Sequence, residues 1–386
     1  MKITHLCLAG TITDGWSYQE NILAKFHRKL GYDVDLITSI WVYDSNNKMY
    51  QFPKMDYELD DGVHVIRLSV YKGKKFSSRL KRYEGVLESL IKSNPDVLFI
   101  HGCQFRDIST IIKYLKRNSN VTTYVDNHAD FSNSAKTWLS KNILHKVIWR
   151  HYAKMINPFV KKWYGVLPAR VDFLKKIYGL SADKVEFLPL GADDDLVEKY
   201  SSKEIRFEYR KKYGIPDDDI LLVTGGKIDL AKKQTLLLME AVNQIDNPKL
   251  KLIVFGSVVS QLKDDIEKRC SAKVKYVGWL SSEESYPYFA MADLVVFPGR
   301  HSVFWEQVAG QGIPMVVKYW PGTTHIDLDG NVKFLYKDSV EEISDVLKET
   351  TDLKVLKEMA EIACEKRSLF LYSRIAKECM CYNKTK

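Results

Sequence analysis

Phe297-Pro298-Gly299-Arg300-His301-Ser302-Val303-Phe304-Trp305-Glu306-Gln307-Val308-Ala309-Gly310-Gln311-Gly312-Ile313-Pro314-Met315-Val316-Val317 is a strand end, a loop, a helix and the start of a second strand. The apolar run over 294–297 gives way at Pro298-Gly299 to a polar loop. Ser302 is placed to cap the helix behind it, and a second apolar run over 314–318 follows. Strand, helix and strand in such short order belong to a parallel sheet wrapped by helices rather than to a sandwich or a bundle. The loop therefore leaves the carboxyl end of a strand. The amides of Val303 to Trp305, in the first helical turn, lack intrahelical acceptors and point at whatever lies beyond that end.

The same rhythm runs outward in both directions. Upstream in the same half are strands at 220–224, 250–255 and 274–276, with helices at 233–244 and near 262–270 and a further segment at 282–291. Before a polar, charged stretch over 193–219, the pattern runs separately through strands at 3–9, 33–38, 63–68, 97–101 and 121–126, with a first helix over 17–31. The fold class is thus α/β, with two Rossmann-like domains, 1–195 and 196–367, facing each other across a cleft, and a C-terminal helix from about 368 to 386 packing back on the first domain. Ligands of open parallel sheets bind beyond the carboxyl ends of the strands, so the chemistry belongs in the strand-to-helix loops.

A chain of 386 residues exceeds what one hydrophobic core organises, which agrees with two domains. Its formal net charge of +9 admits nucleic acid, an anionic membrane surface or phosphorylated ligands as partners. No recognised nucleic-acid module is present, so nucleic acid is not expected. The opening apolar stretch is too short and interrupted for a signal peptide and no run of 18 apolar residues follows, so a cytoplasmic, non-spanning protein is expected. Cys7, Cys103, Cys270, Cys364, Cys379 and Cys381 have neither zinc nor redox spacing and read as reduced thiols.

Two segments carry the chemistry. Val223-Thr224-Gly225-Gly226-Lys227-Ile228-Asp229-Leu230-Ala231-Lys232-Lys233 leaves a strand, turns on glycines and enters a helix. Glycines let backbone amides approach an oxyanion, and lysines neutralise a diphosphate; a solvated lysine-rich helix start is the competing reading. In the opening stretch, Glu306 can accept two hydrogen bonds from ribose hydroxyls, and its competing reading is a surface carboxylate favoured by the helix dipole.

In combination these segments resemble a family. The Gly-Lys turn with its second lysine, then Val254-Phe255-Gly256, Val277-Gly278-Trp279-Leu280, Ala292-Asp293-Leu294-Val295-Val296-Phe297-Pro298 and the run from Glu306 to Val316 are similar to the donor half of family 4 glycosyltransferases of GT-B fold. Phe187-Leu188-Pro189-Leu190-Gly191-Ala192-Asp193 resembles that family's interdomain signature.

The resemblance implies sugar transfer, with retention, from a nucleotide diphosphate sugar of UDP or GDP type to a hydroxyl of a glycan or lipid-linked acceptor, in surface polysaccharide synthesis and without a metal or other cofactor. By the same resemblance Lys227 and Lys232 hold the diphosphate, Glu306 the ribose, and His128 of Tyr124-Val125-Asp126-Asn127-His128-Ala129-Asp130 stands beside the transferred sugar. Asp126 and Asp130 flank that histidine and are expected to support it, and a capping or core histidine is the competing reading. Gly15, Gly226, Gly278 and Trp279 are donor-side residues. The family's first motif glutamate is replaced by Pro298, and His301, Ser302 and Val303 are the candidates to fill its place. The residues themselves also allow His128 as the base of an inverting displacement.

Asp193-Asp194-Asp195, Asp217-Asp218-Asp219 and Asp327-Leu328-Asp329 lie in turns or at the domain junction and are not expected to bind metal. From Trp138 to Lys154, continuing to Lys161-Lys162-Trp163, basic and aromatic residues interleave at roughly helical spacing. That pattern suits a helix lying on an anionic membrane or a core helix with snorkelling lysines. A nucleotide-sugar epimerase and a non-catalytic partner of the same fold are the rival functions.

Overall fold

The computed structural model describes residues 1–44, 48–71 and 81–380. Contacts group it into two units, Met1–Pro189 with the segment from Ile375 onward, and Leu190–Arg374. The sequence puts the division at 195/196.

In the first unit an eight-stranded sheet has the order β10-β9-β8-β7-β1-β2-β6-β5. These strands are β1 (Lys2–Cys7), β2 (Asp33–Ser39), β5 (Asp56–Glu58), β6 (His64–Leu68), β7 (Val97–His101), β8 (Thr122–Asn127), β9 (Val160–Gly165) and β10 (Val185–Phe187). All pair in parallel except the β5 edge. A separate hairpin joins β3 (Trp41–Tyr43) to β4 (Met49–Gln51). β1 has β2 on one side and β7 on the other, so the direction of winding reverses at β1 and opens a crevice beyond its carboxyl end. β1 and β7 are buried almost throughout, as strands covered on both faces must be.

The second unit has a six-stranded parallel sheet of order β13-β12-β11-β14-β15-β16. Its strands are β11 (Ile220–Gly225), β12 (Leu250–Phe255), β13 (Val274–Tyr276), β14 (Leu294–Phe297), β15 (Met315–Lys318) and β16 (Val332–Leu335). Here the winding reverses between β11 and β14, the strands that lead into the two segments singled out in the sequence. Separate hydrophobic clusters cover the two faces of this sheet.

The basic-aromatic segment departs from its reading. A π-helical stretch, Ser140–Trp149, continues into a helix, Arg150–Ile156, but Lys161-Lys162-Trp163 is not a continuation. It lies in β9, where Trp163 is fully buried and Lys162 is spent on the Asp183 carbonyl and on Glu186 at 2.6 Å. The helix expected near 262–270 shrinks to Lys263–Glu267. At the chain's end the helix Tyr372–Glu378 leads into Cys379 and Met380, whose carbonyls accept from Tyr164 at 2.7 Å and Tyr124 at 2.8 Å in the first unit's sheet. Cys381 and the rest of the expected 368–386 helix beyond Met380 lie outside the described residues.

Candidate functional site

In the second unit the carboxyl ends of β11, β12 and β14 meet backbone to backbone. A Cβ on Gly256 would lie 1.8 Å from the Gly226 carbonyl oxygen, so only glycine permits the approach. Gly226 itself has φ +122°, and Gly225 has no room for a Cβ, which would lie 2.1 Å from the Phe255 ring. The loops are stitched together by Gly226 N–H to the Phe255 carbonyl (3.1 Å) and Gly256 N–H to the Gly278 carbonyl (2.7 Å). Gly278 is thereby tied to the Gly226 turn, and Trp279 next to it is 62% exposed.

Cations gather at this turn. Lys227 is largely exposed and lies 3.6 Å from Asp229. Burial pushes the Lys232 ammonium below its ordinary value; Asp229 opposes that shift, while the positive charges of Arg300 and Lys227 add to it. Gly299 packs against Lys232, which brings the loop after β14 beside the loop after β11. Three cations with one nearby carboxylate favour an anionic ligand. Arg300 was not among the expected site residues; its place in the loop before His301 was the available signal.

The helix behind that loop is Phe304–Gln311. Two of the amides read as free are engaged: Phe304 N–H donates to the Ser302 hydroxyl (3.3 Å) and Trp305 N–H to the Ser302 carbonyl (3.0 Å). Ser302 thus closes the turn ahead of the helix, and Val303 is left with an exposed side chain.

Glu306 is fully buried, which rules out the surface-carboxylate reading. One oxygen, Oε1, accepts from His301 Nε2 and from His325 Nε2, each at 2.8 Å. The other, Oε2, is buried without a hydrogen-bond partner among the described residues. Burial opposes ionisation of Glu306, but the two histidines outweigh it and hold its carboxyl down at about 2. The donor atoms of His301, Glu306 and His325 lie within 4.8 Å of one another, a spacing that can hold a cation. In this arrangement, however, the two ring nitrogens are hydrogen-bond donors to Oε1 rather than lone pairs available to a metal. His325, from the short turn Thr324–Ile326 after β15, lies beyond the motif and gave no sequence signal.

In the first unit His128 follows β8 directly. Its Nε2 lies 3.5 Å from Asp126 Oδ2, and its side chain is 34% exposed. Burial disfavours a charged His128, yet the Asp126 carboxylate prevails and raises the imidazole above its ordinary value. Asp126 is fully buried; burial works to raise its carboxyl, but His101, at 2.6 Å, and His128 hold it far below the usual range. Asp130 does not support His128. Its carboxylate accepts from Ser132 and Asn133 backbone N–H groups and pairs with Arg170 at 3.1 Å. Gly15, at φ +72°, sits in a loop after β1 anchored by Asp14, which accepts from Arg67 and Tyr57 at 2.5 Å each.

The acidic triplets are structural. Asp193 caps the helix Asp194–Tyr200, Asp218 and Asp219 pair with Lys249 and Lys251, and Asp329 pairs with Lys366.

Residues 205–361, within the unit that holds the cation cluster and Glu306, match the family model described as glycosyl transferases group 1. That match spans about two fifths of the chain. No curated protein matches it by sequence. Among solved structures, this chain is similar to sucrose-phosphate synthase from Thermosynechococcus elongatus, at 14% identity and TM-score 0.70 over 98% of this chain and 97% of that one. It is also similar to Anabaena Alr3699/HepE in complex with UDP, at 16% identity and TM-score 0.68 over 98% of both chains. UDP-GlcNAc 2-epimerase from Neisseria meningitidis shares the fold at 11% identity and TM-score 0.63, over 99% of this chain and all of that one. These likenesses establish the GT-B fold.

Proposed function

We propose that this chain transfers a sugar from a UDP-type nucleotide sugar to a hydroxyl of a glycan or lipid-linked acceptor, retaining the anomeric configuration and needing no metal. The carrying observation is the convergence, where the second sheet reverses its winding, of Lys227, Lys232 and Arg300 with a buried glutamate that has one oxygen unpartnered among the described residues. The cations suit a diphosphate and Glu306 Oε2 suits a ribose hydroxyl, with His301 and His325 holding Oε1 so that the carboxylate stays ionised. Gly226, Gly278, Trp279, Ser302 and Val303 shape the loops around that nucleotide. In the first unit, Gly15 belongs to the loop after β1, and His128, poised by Asp126, acts at the transferred sugar. The UDP complex of a structural neighbour favours UDP over GDP.

A cytoplasmic enzyme of surface polysaccharide assembly, touching the inner membrane face, fits the exposed Trp138, Leu139, Ile143 and Val147 beside Lys141 and Lys146. Among the described residues no helix is long and apolar enough to cross a membrane.

Thermal stabilisation by UDP, GDP, ADP and CMP and their common sugar conjugates, without metal, tests the reading. Stabilisation by one diphosphate nucleotide is expected, because a ligand bound only to the native state raises its stability. No shift with any of them would favour a non-catalytic partner. Conversion of the stabilising donor without an acceptor would favour an epimerase, and NMR of the product anomer distinguishes retention from inversion.

A further inference from the structure

Behind His128 the first unit buries three more histidines in an unbroken line. His27, on the helix Gln19–Lys29, His5 of β1 and His101 at the end of β7 are all nearly inaccessible. His27 Nε2 lies 3.0 Å from the Ala376 carbonyl oxygen, His27 Nδ1 2.9 Å from His5 Nε2, His5 Nδ1 2.9 Å from His101 Nε2, and His101 Nδ1 2.6 Å from Asp126 Oδ2. β1 and β7 are neighbours and β8 follows β7, so the sheet order sets His5, His101 and Asp126 in a row on one face, under the helix that carries His27.

Proton counting on this line is decisive. There are four hydrogen bonds, and both ends only accept: one is a carbonyl oxygen, the other an oxygen of Asp126, whose carboxyl His101 and His128 hold ionised against the effect of burial. Each bond needs one proton, while three neutral imidazoles supply one N–H apiece. One bond would then join two lone pairs at hydrogen-bonding distance in a buried site, which is costly. We propose that the chain His27–His5–His101 holds one proton more than its three neutral rings carry, with the Asp126 carboxylate as counter-ion, and that this stored charge sets how strongly Asp126 draws a proton onto His128. The doubly protonated ring is His101, the one in contact with the carboxylate. His5, His27 and His101 are positioning residues, since none of them reaches solvent.

The surroundings agree with that placement. Burial keeps His27 down at about 4 and His5 well below its ordinary value, which leaves the extra proton to the Asp126 end. Phe99 stacks on His5 and packs against His101, and the Tyr32 ring meets His27 edge-on. A carboxylate oxygen of Glu20 lies within 4.8 Å of ring nitrogens of His101 and His128, adding negative charge at the same end; Arg170 opposes it at His128. The Cys7 thiol is pushed up by burial and stays neutral. The Cys379 sulfur lies 3.4 Å both from His27 Nε2 and from the Ala376 carbonyl. A thiol proton given to His27 would reverse the chain and remove the need for an extra proton, but would leave His27 Nε2 and the carbonyl oxygen as facing lone pairs at 3.0 Å.

The test counts protons in the full-length protein with histidine-selective ¹⁵N labelling. At neutral pH four exchange-protected imidazole N–H protons are expected on these three rings, with both nitrogens of His101 protonated; three would overturn the proposal. His5→Phe splits the line into two fragments that neutral rings can satisfy, so the doubly protonated ring should vanish. His27→Phe removes the carbonyl-capped end and should do the same, covering the case in which the first variant does not fold. Persistence of the doubly protonated ring in a folded variant would also overturn it.

The catalytic consequence rests on the proposed role of His128. With His101 neutral, Asp126 acts on His128 uncompensated, so the acid limb of the kcat–pH profile should move to higher pH in either variant while KM for the donor stays. A lowered kcat with an unmoved profile would reduce the chain to packing and overturn its positioning role. If the wild-type protein transfers no sugar yet shows four protons, the transferase reading falls and the stored proton stands.

Discussion

Each unit buries one carboxylate between two histidines, and the two arrangements differ in a way that separates holding from tuning. In the second unit Glu306 receives both histidines on one oxygen, at 2.8 Å each, and keeps the other oxygen without a partner among the described residues. That is a preorganised acceptor waiting for a donor. In the first unit Asp126 Oδ2 receives one short bond from His101, itself the end of a buried line, and has a looser 3.5 Å contact with the partly exposed His128, while Oδ1 likewise has no partner among the described residues. Here the carboxylate is a junction between a buried charge and an accessible ring. Both carboxylates keep one oxygen without a partner among the described residues, so what separates them is the geometry on the other oxygen: two equal 2.8 Å bonds at Glu306, against one short bond from a buried line and one long contact at Asp126.

The contrast is broken most severely at the junction. Asp126→Asn removes the counter-charge of a buried, charged line, and breaking a buried pair by one partner costs about 3 to 5 kcal/mol. Urea denaturation should show that loss, and a change below about 1 kcal/mol would mean that no charged line exists. Glu306→Gln should cost less stability, because the amide oxygen still accepts from a histidine, but it should weaken UDP binding by about 1.5 to 3 kcal/mol, the worth of a charge-assisted hydrogen bond. UDP lacking its ribose hydroxyls should lose the same amount on the wild type and little more on the variant, a cycle that isolates this one contact. Additive losses would place the ribose elsewhere.

Within the cation cluster the effects should be graded by burial. Lys232→Ala should weaken diphosphate binding by about 1.5 to 3 kcal/mol, and Lys227→Ala by less, since solvent screens its exposed ammonium. Isothermal titration of UDP against both variants checks the order. Equal losses would mean that loop closure, not burial in the unliganded protein, decides which lysine matters.

These two sites were unequally legible in the sequence. The second unit's candidate site lies along loops that follow successive strands, so Gly226, Lys232 and Glu306 could be singled out once strand, turn and helix were read together with the family resemblance. Two members were not expected: Arg300, inside the quoted stretch one residue before the expected His301, and His325, which reaches Glu306 from the next loop. The first unit's line could not be read at all. His5 sits inside an apolar strand, His27 on an amphipathic helix, and His101 ends another strand; they are 22 to 96 residues apart and meet only because β1 pairs with β7. Local pattern does not encode that pairing. Likewise the lysines of 161–162 suggested a surface helix until the burial of Trp163 placed them on a strand.

The response to acid sharpens the same contrast. In the first unit burial holds His27 and His145 down at about 4, against an ordinary value of 6.5, and holds His5 well below that ordinary value. The unfolded chain therefore takes up protons there before the native state does, and stability falls as pH drops from about 6.5 to about 4, by at most about 1.4 kcal/mol per unit for each such ring. His128, whose value is raised, works in the opposite sense only above that range: its contribution is complete below 6.5 and fades as pH rises through its raised value. In the second unit the depressed carboxyl of Glu306 gives stability that is present above 4.5 and lost as pH falls towards about 2. Mild acid should therefore loosen the first unit before the second. Amide exchange at pH 6.5 and 4.5 should show protection falling in β1, β7 and β8 while β11 and β14 keep theirs. Equal loss in both sheets would mean that the buried histidines are reached by water and proton in the native state, which would count against an isolated line behind His128.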